Sequence, residues 1–120
     1  MKKKTLVIGA SENTARYSNM AVNKLLSKQH EVIAIGKTGG RIQNVEILKE
    51  QVQDDDIDTV TLYLNPTHQE PYYDYILSLK PHRIIFNPGA ENDELERLAA
   101  QQGIDVLEAC TLVMLSTGKY

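Results

Sequence analysis

Cysteine is nearly absent from the sequence, and so is any excess of positive charge. The single cysteine, Cys110, cannot form an intrachain disulfide, which fits a reducing compartment and predicts a cytoplasmic protein. The 13 lysines and arginines are outnumbered by 16 aspartates and glutamates, which gives a formal net charge of −3. Because this balance produces no overall attraction to polyanions, nucleic acid is not expected as the main partner.

Long hydrophobic runs and linker-like segments are also missing. The N-terminal apolar run, Thr5–Ile8, ends at Gly9 and is too short for the core of a signal peptide or for a membrane span. We find no internal repeat, no low-complexity stretch and no linker rich in proline, glycine or serine. With 42% hydrophobic and 24% charged residues, the 120-residue chain has a globular composition. We therefore expect one domain over residues 1–120, without membrane contact.

Short apolar runs rich in β-branched residues alternate with stretches of helical spacing. Strands that are buried on both faces have continuous apolar sequences, as these runs mostly do. The alternation of strand and helix predicts an α/β fold, a three-layer αβα sandwich with a mostly parallel five-stranded sheet. The predicted strands are Thr5–Ile8, Glu31–Ile35, Thr59–Leu64, Arg83–Phe86 and Ile104–Leu107.

Apolar residues at helical spacing predict helices between these strands. Ala21 and Leu25 belong to one such stripe. Pro71 suits a first helical turn, Asn92 suits an N-cap, and Gly103 suits a helix stop.

The segment between residues 39 and 58 has no clear pattern. Residues 42–47 could include a short strand, and residues 48–52 could form one or two helical turns. The acidic run at residues 54–58 lacks the glycine and the distal glutamate of a calcium loop. We therefore expect a solvated turn there.

Ligands of parallel α/β sheets bind at the carboxyl ends of the strands, so the loops that follow the strands are the candidate site. In the first loop, Gly9 permits a tight turn and close approach of a ligand, and the following helix presents free N–H groups that favour a phosphate. Ser11 and Ser18 add hydroxyl donors, and Arg16 adds a forked cation. The full G-x-G-x-x-G fingerprint is absent. A plain turn with Ser18 as the helix cap is the alternative.

The second loop contains a cation where a nicotinamide-binding domain usually has an acid. Such domains end their second strand with Asp or Glu, which binds the ribose hydroxyls. Here Lys37 follows Gly36, and Gly39 continues a glycine-rich turn that ends at Arg41. This pattern favours an extra phosphate on the adenosine ribose, as in coenzyme A or NADP. A flexible loop with a solvated Lys37 and Arg41 is the alternative.

The third and fourth loops both begin with Asn-Pro. Asn65 and Pro66 follow the third predicted strand, and Pro88 and Gly89 lie in the loop after the fourth. The prolines supply an apolar wall for a base or a pantetheine arm, and Gly89 permits backbone contact. Glu91 could bond a polar group of the ligand, or could simply lie near the next helix start.

Together these motifs resemble those of the small CoA-binding proteins related to the nucleotide-binding domain of the succinyl-CoA synthetase alpha subunit. One difference is Thr14, near a position where family members commonly carry proline. The resemblance implies a Rossmann-like fold that binds coenzyme A. It would place the pyrophosphate beside the four residues named in the first loop and the ribose phosphate beside Lys37. The matching segments cover nearly the whole chain and are Val7–Ser11, Arg16–Ser18, Gly36–Gly40, Asn87–Asn92 and Cys110.

The sequence shows no set of residues for catalysis. His30 and His82 each precede a strand and are expected on the surface, whereas His68 follows a strand and is more typical of a polar wall residue than of a base. Cys110 is expected to be a buried packing residue, and a mixed disulfide with the CoA thiol is the alternative. No His, Cys, Asp or Glu cluster has metal-ligand spacing.

We therefore expect a stand-alone module that binds coenzyme A or an acyl-CoA. Two alternatives remain, a small NADP-dependent oxidoreductase and a nucleotide-dependent protein-interaction module. The missing fingerprint and the lack of a substrate domain count against the oxidoreductase. The expected partner is a small-molecule nucleotide, and a homo-oligomer or a protein partner stays open.

Overall fold

Seven strands and the helices between them form the described part of the chain, residues 2–120 of a computed structural model. A single 3-10 turn, Glu70–Tyr72, separates the second and third helices. In chain order the elements are β1 (Thr5–Ile8), α1 (Tyr17–Ser27), β2 (Val32–Ile35), β3 (Gly40–Ile42), β4 (Val45–Leu48), β5 (Thr59–Leu62), α2 (Pro66–Gln69), α3 (Tyr73–Leu79), β6 (Arg83–Phe86), α4 (Asp93–Gln101), β7 (Asp105–Glu108) and α5 (Thr111–Ser116).

The strands form one sheet in the order β3-β4-β2-β1-β5-β6-β7. All neighbours are parallel except β3 and β4, which pair as an antiparallel hairpin. The mostly parallel sheet is thus confirmed, and each of the five predicted strands is present. In the register of the central pair, Thr5 lies opposite Val32 and Ile8 lies opposite Ile35.

The predicted number of strands was wrong, because the hairpin adds two. Ile42 and Ile47 alternate with exposed residues and are buried, which gives the hairpin one apolar face. Leu48 pairs with Ile35 in the parallel ladder between β4 and β2, so the helical alternative for residues 48–52 was also wrong.

Two apolar clusters lie on opposite faces of the sheet. One joins the sheet to α3 and α4 through Ile76 and Leu95, and the other joins it to α1 and α5 through Leu25 and Leu115. Each of these four side chains is at most 3% exposed, so each helix buries its apolar stripe against a strand layer. The three-layer arrangement is therefore confirmed. None of the described helices has the length and apolar content that a bilayer crossing requires.

The helix ends follow the sequence signals at some positions and depart from them at others. Asn92 caps α4, since its side-chain oxygen accepts a hydrogen bond from the Leu95 amide at 3.2 Å. Gly103 follows α4 with a φ of 79°, as a helix stop does. The alternative that Ser18 caps α1 was wrong: α1 begins after Arg16, and Ser18 is buried inside its first turn.

His30 is buried, contrary to the expectation from its position before β2. Its Nδ1 atom accepts a hydrogen bond from the Lys3 amide at 2.9 Å, and its ring packs edge-on against Tyr120 with centroids 5.0 Å apart. Both partners are remote in sequence, which is why the local pattern did not predict the burial. His82 is exposed, as expected.

The position of His30 predicts a loss of stability in mild acid. Burial lowers the pKa of His30, and the positive charges of Lys2 and Lys3 lower the pKa further. The unfolded chain then takes up a proton at higher pH than the folded chain, so stability is complete above the unfolded pKa and is lost as pH falls below about 6.5.

We expect His30→Gln to make the free energy of unfolding less dependent on pH between about 8 and 5.5, measured by urea denaturation. His82→Gln, which removes an exposed histidine, is the control and should keep the wild-type dependence. An unchanged dependence in His30→Gln would contradict the assignment.

Candidate functional site

A cleft of about 460 Å³ lies at the carboxyl edge of the sheet, where β1, β2, β5 and β6 end. A side chamber of about 240 Å³ is lined by Gly36 and Tyr72, and it shares Gly9, Lys37, Leu64 and His68 with the cleft. The cleft is lined by Gly9, Ala10, Ser11, Arg16, Tyr17, Ser18, Lys37, Thr38, Tyr63, Leu64, Asn65, His68, Pro88, Gly89 and Ala90.

Most of the predicted site residues therefore come together at this edge, and three lie just outside the lining. Gly39 is buried in the turn before β3, and Pro66 is the exposed first residue of α2. Glu91 is exposed and accepts a hydrogen bond from the Gly89 amide.

The loop after β1 is held by its own side chains. Ser11 Oγ accepts a hydrogen bond from the Asn13 amide at 3.0 Å, and Asn13 Oδ1 accepts one from the Ala15 amide at 2.9 Å. Asn19 in α1 donates to the Ser11 carbonyl at 3.0 Å. These bonds fix the loop without a proline near Thr14.

The first turn of α1 faces the cleft with unpaired donors. Within residues 2–120 the amides of Tyr17 and Ser18 donate to no acceptor, as expected for the start of a helix. The side chains of Arg16 and Lys37 also line the cleft, and neither forms an ion pair with any residue that the structure describes. Free amides and unpaired cations together form a site suited to an anion.

The loop after β2 packs directly on the loop after β1. A Cβ atom on Gly36 would lie 2.2 Å from the Ala10 carbonyl oxygen, so only glycine permits this contact. Farther out, Glu12 Oε2 accepts a hydrogen bond from the Arg41 amide at 2.8 Å. These two contacts hold Lys37 beside the first loop.

Two hydrogen-bond networks, around the buried side-chain amides of Gln69 and Asn87, fix the loops after β5 and β6. Gln69 donates to the carbonyls of Leu64 at 2.8 Å and Ala90 at 2.7 Å, so it joins one loop to the other. Asn92 donates to the Gln69 side-chain oxygen at 2.8 Å. Asn65 caps α2 through a 3.0 Å bond from the His68 amide. Gln69 is fully buried, and no local sequence pattern marks it.

The side-chain amide of Asn87 forms the second hydrogen-bond network. Its side-chain nitrogen donates to Thr61 Oγ1 at 2.7 Å and to the Leu62 carbonyl at 2.9 Å. Its side-chain oxygen accepts a hydrogen bond from the Thr111 amide at 2.9 Å. Asn87 is 2% exposed and therefore joins β5, β6 and the start of α5 in the interior. The Asn-Pro dipeptide marked this position, but the role of its asparagine was not predicted.

Tyr63 is a cleft residue that the sequence analysis missed. Burial raises its pKa to about 12, so the phenol is neutral at physiological pH and cannot act as a general base there. The only signal for Tyr63 was its place in the predicted strand that ends at Leu64. The other neighbours of predicted site residues that line the cleft without having been predicted are Ala10, Tyr17, Thr38, Leu64 and Ala90.

The cleft contains little that could catalyse a reaction. His68 is its single histidine, and none of its lining residues is acidic. Cys110 is half-buried, precedes α5 and does not line the cleft. Three carboxyl groups, those of Asp93, Glu96 and Glu108, do approach one another within 4.8 Å, but they lie outside the cleft.

A sequence model of the CoA binding domain matches residues 3–116. The chain belongs to the CoA binding domain family. Its fold is close to that in the crystal structure of an uncharacterized protein, with 48% sequence identity, a TM-score of 0.97 and coverage of 100% of this chain and 99% of the other. No curated protein matches the sequence.

More distant structures share the fold alone. A hypothetical protein from Pyrococcus horikoshii OT3 has 20% identity and a TM-score of 0.85, with coverage of 97% of this chain and 83% of the other. An oxidoreductase from Bacillus cereus has 14% identity and a TM-score of 0.60, with coverage of 88% of this chain and 34% of the other.

The Asn87 network predicts a large cost for its removal. Asn87→Ala would leave the buried Thr111 amide and Leu62 carbonyl without this partner, which should lower the free energy of unfolding by about 3 kcal/mol. Asn65→Ala removes an exposed helix cap and is the comparison, with an expected loss of about 1 kcal/mol. Urea denaturation of both variants tests the difference, and equal losses would contradict the role assigned to Asn87.

Proposed function

We propose that the chain is a binding module for coenzyme A or an acyl-CoA. The observation that carries this proposal is Lys37, an exposed lysine with no ion-pair partner among residues 2–120, at the end of β2 and in the cleft wall. An NAD site usually has a carboxylate at this strand end, which binds the ribose hydroxyls. A lysine there suits a phosphate on the adenosine ribose, which CoA carries.

The first loop supplies the site for the pyrophosphate. In this proposal the free amides of the first turn of α1, the hydroxyls of Ser11 and Ser18 and the guanidinium of Arg16 bind its oxygens. Gly36 and Lys37 line the side chamber next to this loop. The ribose phosphate then lies on the β2 side of the pyrophosphate.

The pantetheine arm would extend in the opposite direction, over the loops after β5 and β6. The sheet order is β2-β1-β5-β6, so these loops follow one another along the edge. Leu64, Pro88 and Ala90 give this part of the cleft an apolar wall, and backbone atoms at Gly89 add polar contacts.

Binding, rather than chemistry on the ligand, is the proposed role. His68 lines the cleft without an acidic neighbour in the lining to orient it, and Tyr63 stays protonated. The proposal places the module in the cytoplasm, in keeping with its single cysteine.

Ligand-dependent stability tests the proposed ligand. CoA at about one hundred times its dissociation constant should stabilise the fold by roughly 2.7 kcal/mol, which raises the melting temperature. NAD at the same concentration should produce no shift, and NADP serves as the comparison that carries a ribose phosphate without a pantetheine arm. A clear shift with NAD and none with CoA would overturn the proposal.

The position of the ribose phosphate is tested by Lys37→Ala. We expect this variant to lose about 1.5 kcal/mol of CoA binding, about tenfold in Kd, and to bind dephospho-CoA as the wild type does. Calorimetry with both ligands measures the two losses. Lys119→Ala removes the same charge beside Tyr120, whose hydroxyl meets Thr5 at the opposite end of the sheet, and should leave both affinities unchanged. If Lys37→Ala loses the same affinity for CoA and for dephospho-CoA, Lys37 does not contact the ribose phosphate.

A further inference from the structure

A carboxylate lies directly behind one wall of the cleft. Glu91 Oε1 accepts a hydrogen bond from the Gly89 amide at 2.9 Å, and Gly89 lines the cleft. Glu91 forms no salt bridge with any residue between 2 and 120, so no neighbouring cation neutralises its charge. The amide that this wall would present to an anion is therefore already bound to an internal acceptor.

The sheet order places this carboxylate far from the two cations of the cleft. Lys37 follows β2 and Arg16 follows β1, whereas Glu91 lies in the loop after β6. Two strand spacings, about 10 Å, separate β1 from β6. The two cations thus line one end of the cleft, whereas at the other end the Glu91 carboxylate is bonded to the Gly89 backbone and lies just outside the lining.

We propose that Glu91 sets the acyl specificity of the cleft by charge. The site accepts free CoA and CoA thioesters with neutral acyl groups, and it discriminates against acyl groups that end in a carboxylate. This inference rests on the proposed function, because it requires the phosphates at the end with the two cations and the pantetheine arm over β5 and β6. The thiol or acyl end then lies beside Glu91.

The backbone role of Glu91 can be separated from its charge. The Gly89 bond supports a turn in which the Ala90 amide also donates to the Asn87 carbonyl at 2.8 Å. Glutamine at position 91 keeps an oxygen that can accept the Gly89 bond and loses only the charge. The N-cap of α4 is Asn92, so the helix start does not depend on Glu91.

The test compares butyryl-CoA with succinyl-CoA, whose acyl groups have the same number of carbons and differ in a terminal methyl or carboxylate. Calorimetry should show that the wild type binds butyryl-CoA at least about fivefold more tightly, which is the cost of two like charges about 4 Å apart in water. Glu91→Gln should tighten the binding of succinyl-CoA and leave the binding of butyryl-CoA unchanged. The ratio of the two affinities should then fall to the value that the different hydrophobicity of a methyl and a carboxylate group produces by itself.

Asp93→Asn is the matched control, since it removes the same charge two residues away, in the first turn of α4 near Glu96 and Glu108, from a residue that is not the one bonded to Gly89 of the cleft wall. It should keep the wild-type ratio. A wild-type ratio near one, or a ratio that Glu91→Gln leaves unchanged, would overturn the inference while CoA binding stands. If neither free CoA nor butyryl-CoA binds, the proposed function fails and this inference fails with it.

Discussion

The shape of the cleft depends on the buried amide of Asn87. At the ends of strands, backbone N–H and C=O groups have no hydrogen-bond partner in the sheet. Where such groups are buried, they need other hydrogen-bond partners. Asn87 bonds the Leu62 carbonyl of β5 and the Thr111 amide of α5, so β5, β6 and the start of α5 keep fixed separations at this edge. Gln69, which is also buried, joins the loops after β5 and β6 through two carbonyls. Buried bonds of this kind are costly to break, which makes this half of the cleft rigid.

The half of the cleft at β1 and β2 is held by different forces. Gly36 lets one loop rest on the Ala10 carbonyl, which is a steric fit and not a hydrogen bond. The bond between Glu12 and the Arg41 amide is exposed to water, where a hydrogen bond contributes little net stability. Local opening therefore costs less free energy here than around Asn87. The half that carries Lys37 is the one better able to adjust to a ligand.

The sequence predicted those parts of the structure that depend on local pattern. The five predicted strands are mostly apolar, and β1 and β5 are buried at every residue because both faces of the sheet are covered there. The hairpin of β3 and β4 has exposed residues such as Arg41 and Glu46 and was not predicted as two strands. The candidate cleft followed from the rule that strand ends hold ligands, which located Lys37. Contacts between remote residues were not predictable: the partners of Gln69 at Ala90 and of Asn87 at Thr61 lie 21 and 26 positions away.

The free donors of the cleft give it a direction. With a net charge of −3 the chain does not attract anions as a whole, so an anion must be selected by local groups. Within residues 2–120 the amides of Tyr17 and Ser18 are free, while the amide of Gly89 is bound to Glu91. Unpaired amide donors and unpaired cations therefore lie together at the β1 end of the cleft. At the β6 end, the amide donor is already bound to a carboxylate. A ligand with phosphates at one end and an uncharged arm at the other can enter this cleft favourably in a single orientation, because the reverse orientation would place its phosphates against the carboxylate.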